Sequence, residues 1–199
     1  MSSHKEPLAR EHLGYQLIYN LKDAPLGRRT LVQRTGLTES VVRTELEKLE
    51  AQKFVNFAKA GTTLTHKARE TFAALFTCLA QIEELELHEL KLDHCNRAAL
   101  IRSGADGLRT WLLRDLAVRE GASGTIFLTR CEKYLSLLEE DRPLAAQNPH
   151  DARVIERTFP STKIGDLLVI VFAANRADAG AGLWRVIAEI IPVFERSFS

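Results

Sequence analysis

The stretch from Arg28 to Val55, RRTLVQRTGLTESVVRTELEKLEAQKFV, constrains the fold more than any other part of the chain. Two short helical patterns flank a single glycine. The first, Arg28 to Arg34, offers Leu31 and Val32 for burial. The second, Glu39 to Gln52, carries Val42, Leu46 and Leu49 at i, i+4 and i+7, one stripe of a helix, with Val41 at its edge. Gly36 in the intervening Thr35-Gly36-Leu37 is free to take positive φ, so the chain can turn sharply there. Thr38 is a good N-cap for the second helix.

The flanking segments complete a pattern. Leu13, Leu17, Ile18 and Leu21 follow helical spacing, so Leu8 to Leu21 reads as a helix that Asp23-Ala24-Pro25 stops. Phe54 to Lys59 alternates like a strand, Ala60 to Thr63 reads as a turn, and Leu64 starts a short return strand. Helix, short helix, turn, longer helix and two-stranded ribbon is the order of a winged helix-turn-helix.

That order predicts a division of labour on the third helix. With its apolar stripe turned inward, Glu39, Ser40, Arg43, Thr44 and Glu47 point outward, and a major groove is read by hydrogen-bonding side chains of this kind. Arg43 can donate bidentately to guanine, and Ser40 and Thr44 can contact bases or phosphates. The helix N-terminus at Thr38 favours a phosphate. Glu39 and Glu47 repel phosphates and suit cytosine amino groups or positions off the backbone. Arg28, Arg29 and Arg34 are suitable phosphate anchors, and Lys59, Thr62 and Thr63 sit where a ribbon tip can reach a minor groove or the backbone. Residues 1–70 hold twelve Lys and Arg against eight Asp and Glu, whereas residues 92–199 balance at fourteen each. A mildly basic front third agrees with nucleic acid as partner without requiring it.

The residues also carry a resemblance. GRRTLVQRTGLTESVVRTELEKLEAQKFV, followed by Leu64-Thr65, resembles bacterial and archaeal winged-helix transcription regulators and is similar to the DNA-binding part of the central glycolytic genes regulators. The whole layout resembles an archaeal family that pairs such a winged helix with a C-terminal domain of unknown function, on the stretches RAALIRSGADG, LLRDLAVREGASGTIFL and KIGDLLVIVFA. The resemblance implies transcriptional regulation and supplies no ligand. Winged helices also serve as protein–protein modules, and that alternative stays open.

Thr65 can cap a further helix, expected to run to about Lys91. Ala68, Phe72, Leu75, Leu79 and Ile82 form a heptad seam about two heptads long, widened by Phe76 and Leu85. A two-fold DNA reader needs a partner, so Phe72, Leu75, Phe76, Leu79 and Ile82 are the expected homodimer contacts; the other reading is that they pack within the chain.

Past Asp93 the pattern changes. Ala98 to Ile101 is a compact apolar run, Leu108 to Arg119 is amphipathic, Thr125 to Arg130 reads as a strand, and Tyr134 to Leu138 can pair with it as a hairpin. Leu167 to Ala174 (LLVIVFAA) is the strongest strand, apolar enough to be buried on both faces, and Gly180 to Phe194 is a final helix. Glycine-rich turns follow two apolar strands. The polar groups there, Arg102, Ser103, Gly104, Asp106 and Gly107 with Asn175, Arg176, Gly180 and Gly182, are the candidate lining of a small-molecule site. The same turns also read as plain loop geometry, because neither is a dinucleotide fingerprint or a P-loop.

No catalytic constellation stands out. His88, Asp93, His94 and Cys95 are metal-capable types but lack a further ligand at useful spacing, so no metal or cofactor is expected. Cys131 has no histidine near it in sequence, and Ser123 between Gly121 and Gly124 is not a nucleophile elbow. Cys78, Cys95 and Cys131 are scattered, which suits a reducing compartment. The polar start MSSHKEP and the lack of any run of about 18 apolar residues leave the cytoplasm as the expected location, with no membrane partner.

The sequence therefore predicts an α+β chain: a winged helix-turn-helix over residues 1–66, a linking and dimerisation helix over 67–95, and a small α/β domain over 96–199 that senses an effector or assembles the dimer. The expected function is sequence-specific binding of double-stranded DNA by a non-enzymatic, dimeric transcription regulator. The alternatives are an enzyme acting on a phosphorylated small molecule with the winged helix as its regulator, or an interaction module.

Overall fold

The computed structural model describes residues 11–104, 107–140 and 142–191. The chain gathers into two compact units that divide after Glu70. The first holds α1 (Glu11–Asn20), α2 (Arg28–Thr35), α3 (Glu39–Ala51), β1 (Val55–Ala58), β2 (Gly61–Leu64) and α4 (His66–Thr71), the last ending at the boundary. Leu13, Leu17, Ile18 and Leu21 from α1, Leu31 from α2, and Val42, Leu46 and Leu49 from α3 are all buried, and the three helices pack on one another. Gly36 adopts φ 73 and its N–H bonds to the Val32 carbonyl, ending α2 in the left-handed cap that favours glycine. The Thr38 hydroxyl accepts from the Val41 N–H at 3.4 Å, and the Thr65 hydroxyl accepts from the Ala68 N–H at 3.1 Å. Both threonines act as the caps their positions predict.

The helix expected from Thr65 to Lys91 does not form. α4 stops at Thr71, α5 (Ala73–Cys78) follows, and at Leu79 the chain becomes strand β3 (Leu79–Glu83). Leu79 pairs with Ile101 and Glu83 with Ala98, so backbone groups a helix would satisfy internally are satisfied in a sheet. Of the expected dimer seam, Phe72, Leu75 and Leu79 are buried within the chain, and Phe76 and Ile82 are half-buried. Phe72, Leu75 and Leu79 are core and offer no docking surface, and residues 71–95 belong to the second unit.

The second unit continues through β4 (Cys95–Ile101), α6 (Thr110–Arg119), β5 (Gly124–Arg130), β6 (Leu135–Leu137), α7 (Leu144–Gln147), α8 (Pro149–Thr158), β7 (Leu167–Ala173) and α9 (Arg176–Ile190). Its five strands lie in the order β3-β4-β7-β5-β6, each antiparallel to its neighbours. All seven residues of β7 are buried, as expected of a central strand covered on both faces. Ala98, Leu100, Leu128, Leu168, Ile170 and Phe172 line one face and pack with Ile155 and Phe159 and with Leu85 and Leu87. α6 and α9 cover the other: a Cβ on Gly182 of α9 would lie 3.0 Å from Val171 Cγ1 and 3.2 Å from Ala122 Cβ, so glycine there sets how closely helix and sheet approach.

The segment joining β3 to β4 has no regular structure, yet it is anchored. The buried Asp151 carboxylate of α8 accepts the backbone N–H groups of His88, Glu89 and Leu90 at 2.7–3.1 Å. In return the Glu89 carboxylate accepts from the His150 and Asp151 N–H groups, which are free donors of the first turn of α8. Asn96 holds the Leu85 backbone from both sides, donating to its carbonyl at 2.8 Å and accepting from its N–H at 3.0 Å. Among the described residues no helix is long and apolar enough to cross a membrane.

Candidate nucleic-acid interface

α3 sorts its residues by face. Val42, Leu46 and Leu49 are buried, whereas Glu39, Ser40, Arg43, Thr44 and Glu47 are exposed, as is Thr38 at the cap. Thirteen residues span about 20 Å at a rise of 1.5 Å each, enough to lie along a groove about 12 Å wide. Glu45 is a charged residue that the sequence reading leaves unassigned. It lies at the edge of the buried stripe, and its carboxylate pairs with Lys48 at 2.7 Å.

The turn before α3 is pinned. The buried Gln16 of α1 donates from Nε2 to the Thr35 carbonyl at 3.1 Å, the Thr35 hydroxyl donates to the Leu31 carbonyl at 2.7 Å, and the same hydroxyl oxygen accepts from the Leu37 N–H at 3.3 Å. These bonds fix α3 against α1 and α2. Nothing in the local pattern marks Gln16, because a polar residue on an apolar helix reads as surface until its partner is known.

Arg28, Arg29 and Arg34 are exposed on α2, and Gln33, also exposed, lies one turn after Arg29. The wing is shorter and turned earlier than expected: Lys59 and Ala60 form its tip, and the return strand begins at Gly61, not Leu64. Lys59 is exposed at that tip. Thr62 is not available. It is 4% exposed and its backbone bonds in both directions with Leu26, at 3.1 and 2.8 Å. Thr63 is half-buried, its hydroxyl donating to the Asn56 carbonyl at 3.4 Å. Phe57, 47% exposed on β1, is the wing residue that the sequence reading passes over.

In the second unit the structure separates the expected ligand residues. β4 and β7 are antiparallel, Ile101 facing Leu167 and Cys95 facing Ala173. Arg102 and Asn175 therefore lie beyond opposite ends of paired strands that are themselves about 20 Å long. Arg102 donates to the buried Asp166 carboxylate at 2.5 Å and to the Ser161 carbonyl at 2.8 Å, and the Ser103 N–H joins the same carboxylate at 3.2 Å. Gly104 packs against Ile101, and Gly107 adopts φ 68. Asp106 lies outside the described residues. At the other end Asn175 caps α9 by accepting the Asp178 N–H at 3.0 Å, and Arg176 pairs with Glu84 at 3.2 Å. Gly180 and Gly182 lie buried inside α9, which starts four residues earlier than expected. The two glycine-rich turns thus do not form one pocket.

A cleft of about 320 Å³ occurs elsewhere in this unit. Its floor is Leu135, Ile155, Phe159 and Leu168, and Arg130 and Glu156, paired at 2.7 Å, stand on its rim. The metal-capable residues disperse. The His88 ring meets His150 edge-on at 4.9 Å, Asp93 accepts from the Ser123 hydroxyl and the His94 N–H, and Cys95 opens β4.

Matches with known proteins agree with this architecture. Residues 14–79 match the CggR N-terminal DNA binding domain, and residues 92–190 match the Domain of unknown function (DUF4443). The chain is similar to the central glycolytic genes regulator of Priestia megaterium, 33% identical over 105 residues, which cover 51% of this chain and 31% of that protein. It is also similar to the namesake from Bacillus subtilis, 31% identical over 94 residues, covering 46% of this chain and 28% of the relative. The chain thus spans less than a third of the length of either. Hypothetical protein PH0730 from Pyrococcus horikoshii OT3 shares the fold, with a TM-score of 0.70, 24% identity, and coverage of 89% of this chain and 91% of that one.

Fold, exposed helix and matches together define the class: this is a winged helix-turn-helix protein whose first unit is similar to the DNA-binding part of transcription regulators. In particular, its first part is similar to the CggR N-terminal DNA binding domain and its second to the Domain of unknown function (DUF4443).

Proposed function

We propose that this chain is a sequence-specific, homodimeric DNA-binding transcription regulator that acts in the cytoplasm, reading the major groove with α3. One observation carries the reading: α3 hides Val42, Leu46 and Leu49 and leaves Ser40, Arg43 and Thr44 exposed on the opposite side. Arg28, Arg29, Arg34 and Lys59 serve as phosphate contacts around it, and Thr38 and the α3 N-terminus accommodate a further phosphate. Glu39 and Glu47 discriminate, accepting from cytosine where the operator offers it and repelling backbone elsewhere. Half-buried Thr63 is at most a marginal wing contact, and buried Thr62 makes none. The regulator relatives favour this reading over an enzyme.

A second unit that senses a small molecule is the further part of this proposal, with the Arg130–Glu156 cleft as the candidate site. Such an effector acts only through different affinity for two conformations of the protein.

The test is a mobility-shift series on genomic fragments selected by the protein. Arg43→Ala is expected to weaken specific binding by 1–3 kcal/mol, about five- to 150-fold, and to relax one operator position. Arg29→Ala is expected to weaken all sequences alike and reduce the salt slope by about one. Absence of binding even at low salt overturns the reading and leaves the winged helix as a protein-interaction module.

A further inference from the structure

α6 has two unlike faces. Leu113, Leu116 and Ala117 are buried, and the helix packs on α9 and β5. Trp111, Arg114, Asp115 and Val118 all lie outward, and spacings of three, one and three keep them within about 100° of helix surface. Trp111 is 58% exposed and Val118 48%, both among the large apolar side chains that water touches most. Tryptophan is the residue type most enriched where a few contacts dominate an interface. Arg114 and Asp115, each more than half exposed, stand 3.7 Å apart between them.

The order of these four residues is self-complementary. Trp111 and Val118 are equally far from the midpoint between Arg114 and Asp115. A second α6 laid antiparallel on the first, with a two-fold axis at that midpoint, sets Trp111 on the partner's Val118 and Arg114 on the partner's Asp115. A parallel arrangement sets Arg114 on the partner's Arg114 and repels itself. Matching of one patch with its own copy is the requirement of an isologous dimer.

We infer that the outward face of α6, centred between Arg114 and Asp115, is the homodimer interface of this protein. The inference rests on the reading of the chain as a dimer and moves its interface from the buried seam of residues 72–82 to a surface that water reaches. A single helix pair buries less than the roughly 1,200 Å² of a standard interface, so the dimer is a micromolar equilibrium species. The apolar pair supplies affinity, and the charge pair fixes orientation.

Sedimentation equilibrium of the full chain over about 1–100 μM tests this. The wild type is expected to show a monomer–dimer equilibrium. Trp111→Glu is expected to raise the dissociation constant at least about tenfold, as is Arg114→Asp, which faces the partner's Asp115 with a like charge. The doubly exchanged variant, Arg114→Asp with Asp115→Arg, restores the opposite-charge pairs across the axis and is expected to return to within about threefold of the wild type. All three sites are exposed, and circular dichroism verifies folding. A dimer indifferent to these variants overturns the α6 interface while leaving the dimer reading intact. A wild-type monomer, with or without operator DNA, overturns both, including where α6 instead holds an unrelated protein.

Discussion

Gly61 adopts φ 124, and a Cβ there would lie 2.7 Å from the Leu26 carbonyl carbon. It starts the return strand of the wing where Leu26 and Thr62 exchange backbone hydrogen bonds. Gly61→Ala is expected to destabilise the first unit by more than about 1 kcal/mol and to displace the wing, seen as a lowered urea midpoint together with weaker DNA binding. The same contact explains why Thr62 read as a DNA residue and is not one. Alternation over Phe54 to Lys59 reveals a strand, but not which residue of the return strand is drawn inward. That depends on Leu26, thirty-odd positions back. The outward face of α3 was legible because one helical period decides it; how deeply Glu45 sinks at the edge of the stripe was not, because that depends on Lys48 and the packing around it.

At the level of elements, Asp151 ties α8 to the irregular segment between β3 and β4. Burial pushes its carboxyl up, but the N–H groups of Leu90 and His88, the His150 ring and the Glu89 N–H outweigh that and hold it below the ordinary value. A carboxyl depressed in the folded state stabilises fully above its unfolded value of about 3.9, and the gain drains away as pH falls through the lower folded value. Asp151→Asn is expected to cost about 2–4 kcal/mol at pH 7, because an amide cannot accept all three N–H groups. The variant is also expected to lose that share of acid sensitivity below about pH 4, measured by urea unfolding at a series of pH values. This segment is also where the heptad seam misled. Ala68, Phe72, Leu75 and Leu79 are buried at helical spacing, so the seam is real as burial. The helix ends because Leu79 finds a strand partner in Ile101, 22 residues later and invisible to a local pattern. Leu85 and Leu87, alternating with Glu84, Glu86 and His88, carry an extended signal that counting Leu85 into the seam obscures.

For the molecule as a whole, β3 and the Asp151 anchor place residues 71–95 with the sheet. A fragment of residues 71–199 is therefore expected to unfold cooperatively, whereas one of residues 96–199 lacks β3, Leu85 and Leu87 and is expected to aggregate through the bared edge of β4; light scattering and thermal melts separate the two outcomes. The strong apolar strand at Leu167 was plain in the sequence, but its place in the sheet was not. Apolarity marks a buried strand, but a local pattern holds no information that β7 runs antiparallel between β4 and β5. That placement has a consequence for how the protein is made. The keystone is the last of the five strands to emerge: while residues 167–173 are still to be synthesised, β3–β4 and β5–β6 can form only two ribbons facing a vacant lane, each with an unmatched row of amides. A message cut short before Leu167 would yield two halves with nothing to join them, and quality control in the cell has that interval in which to act.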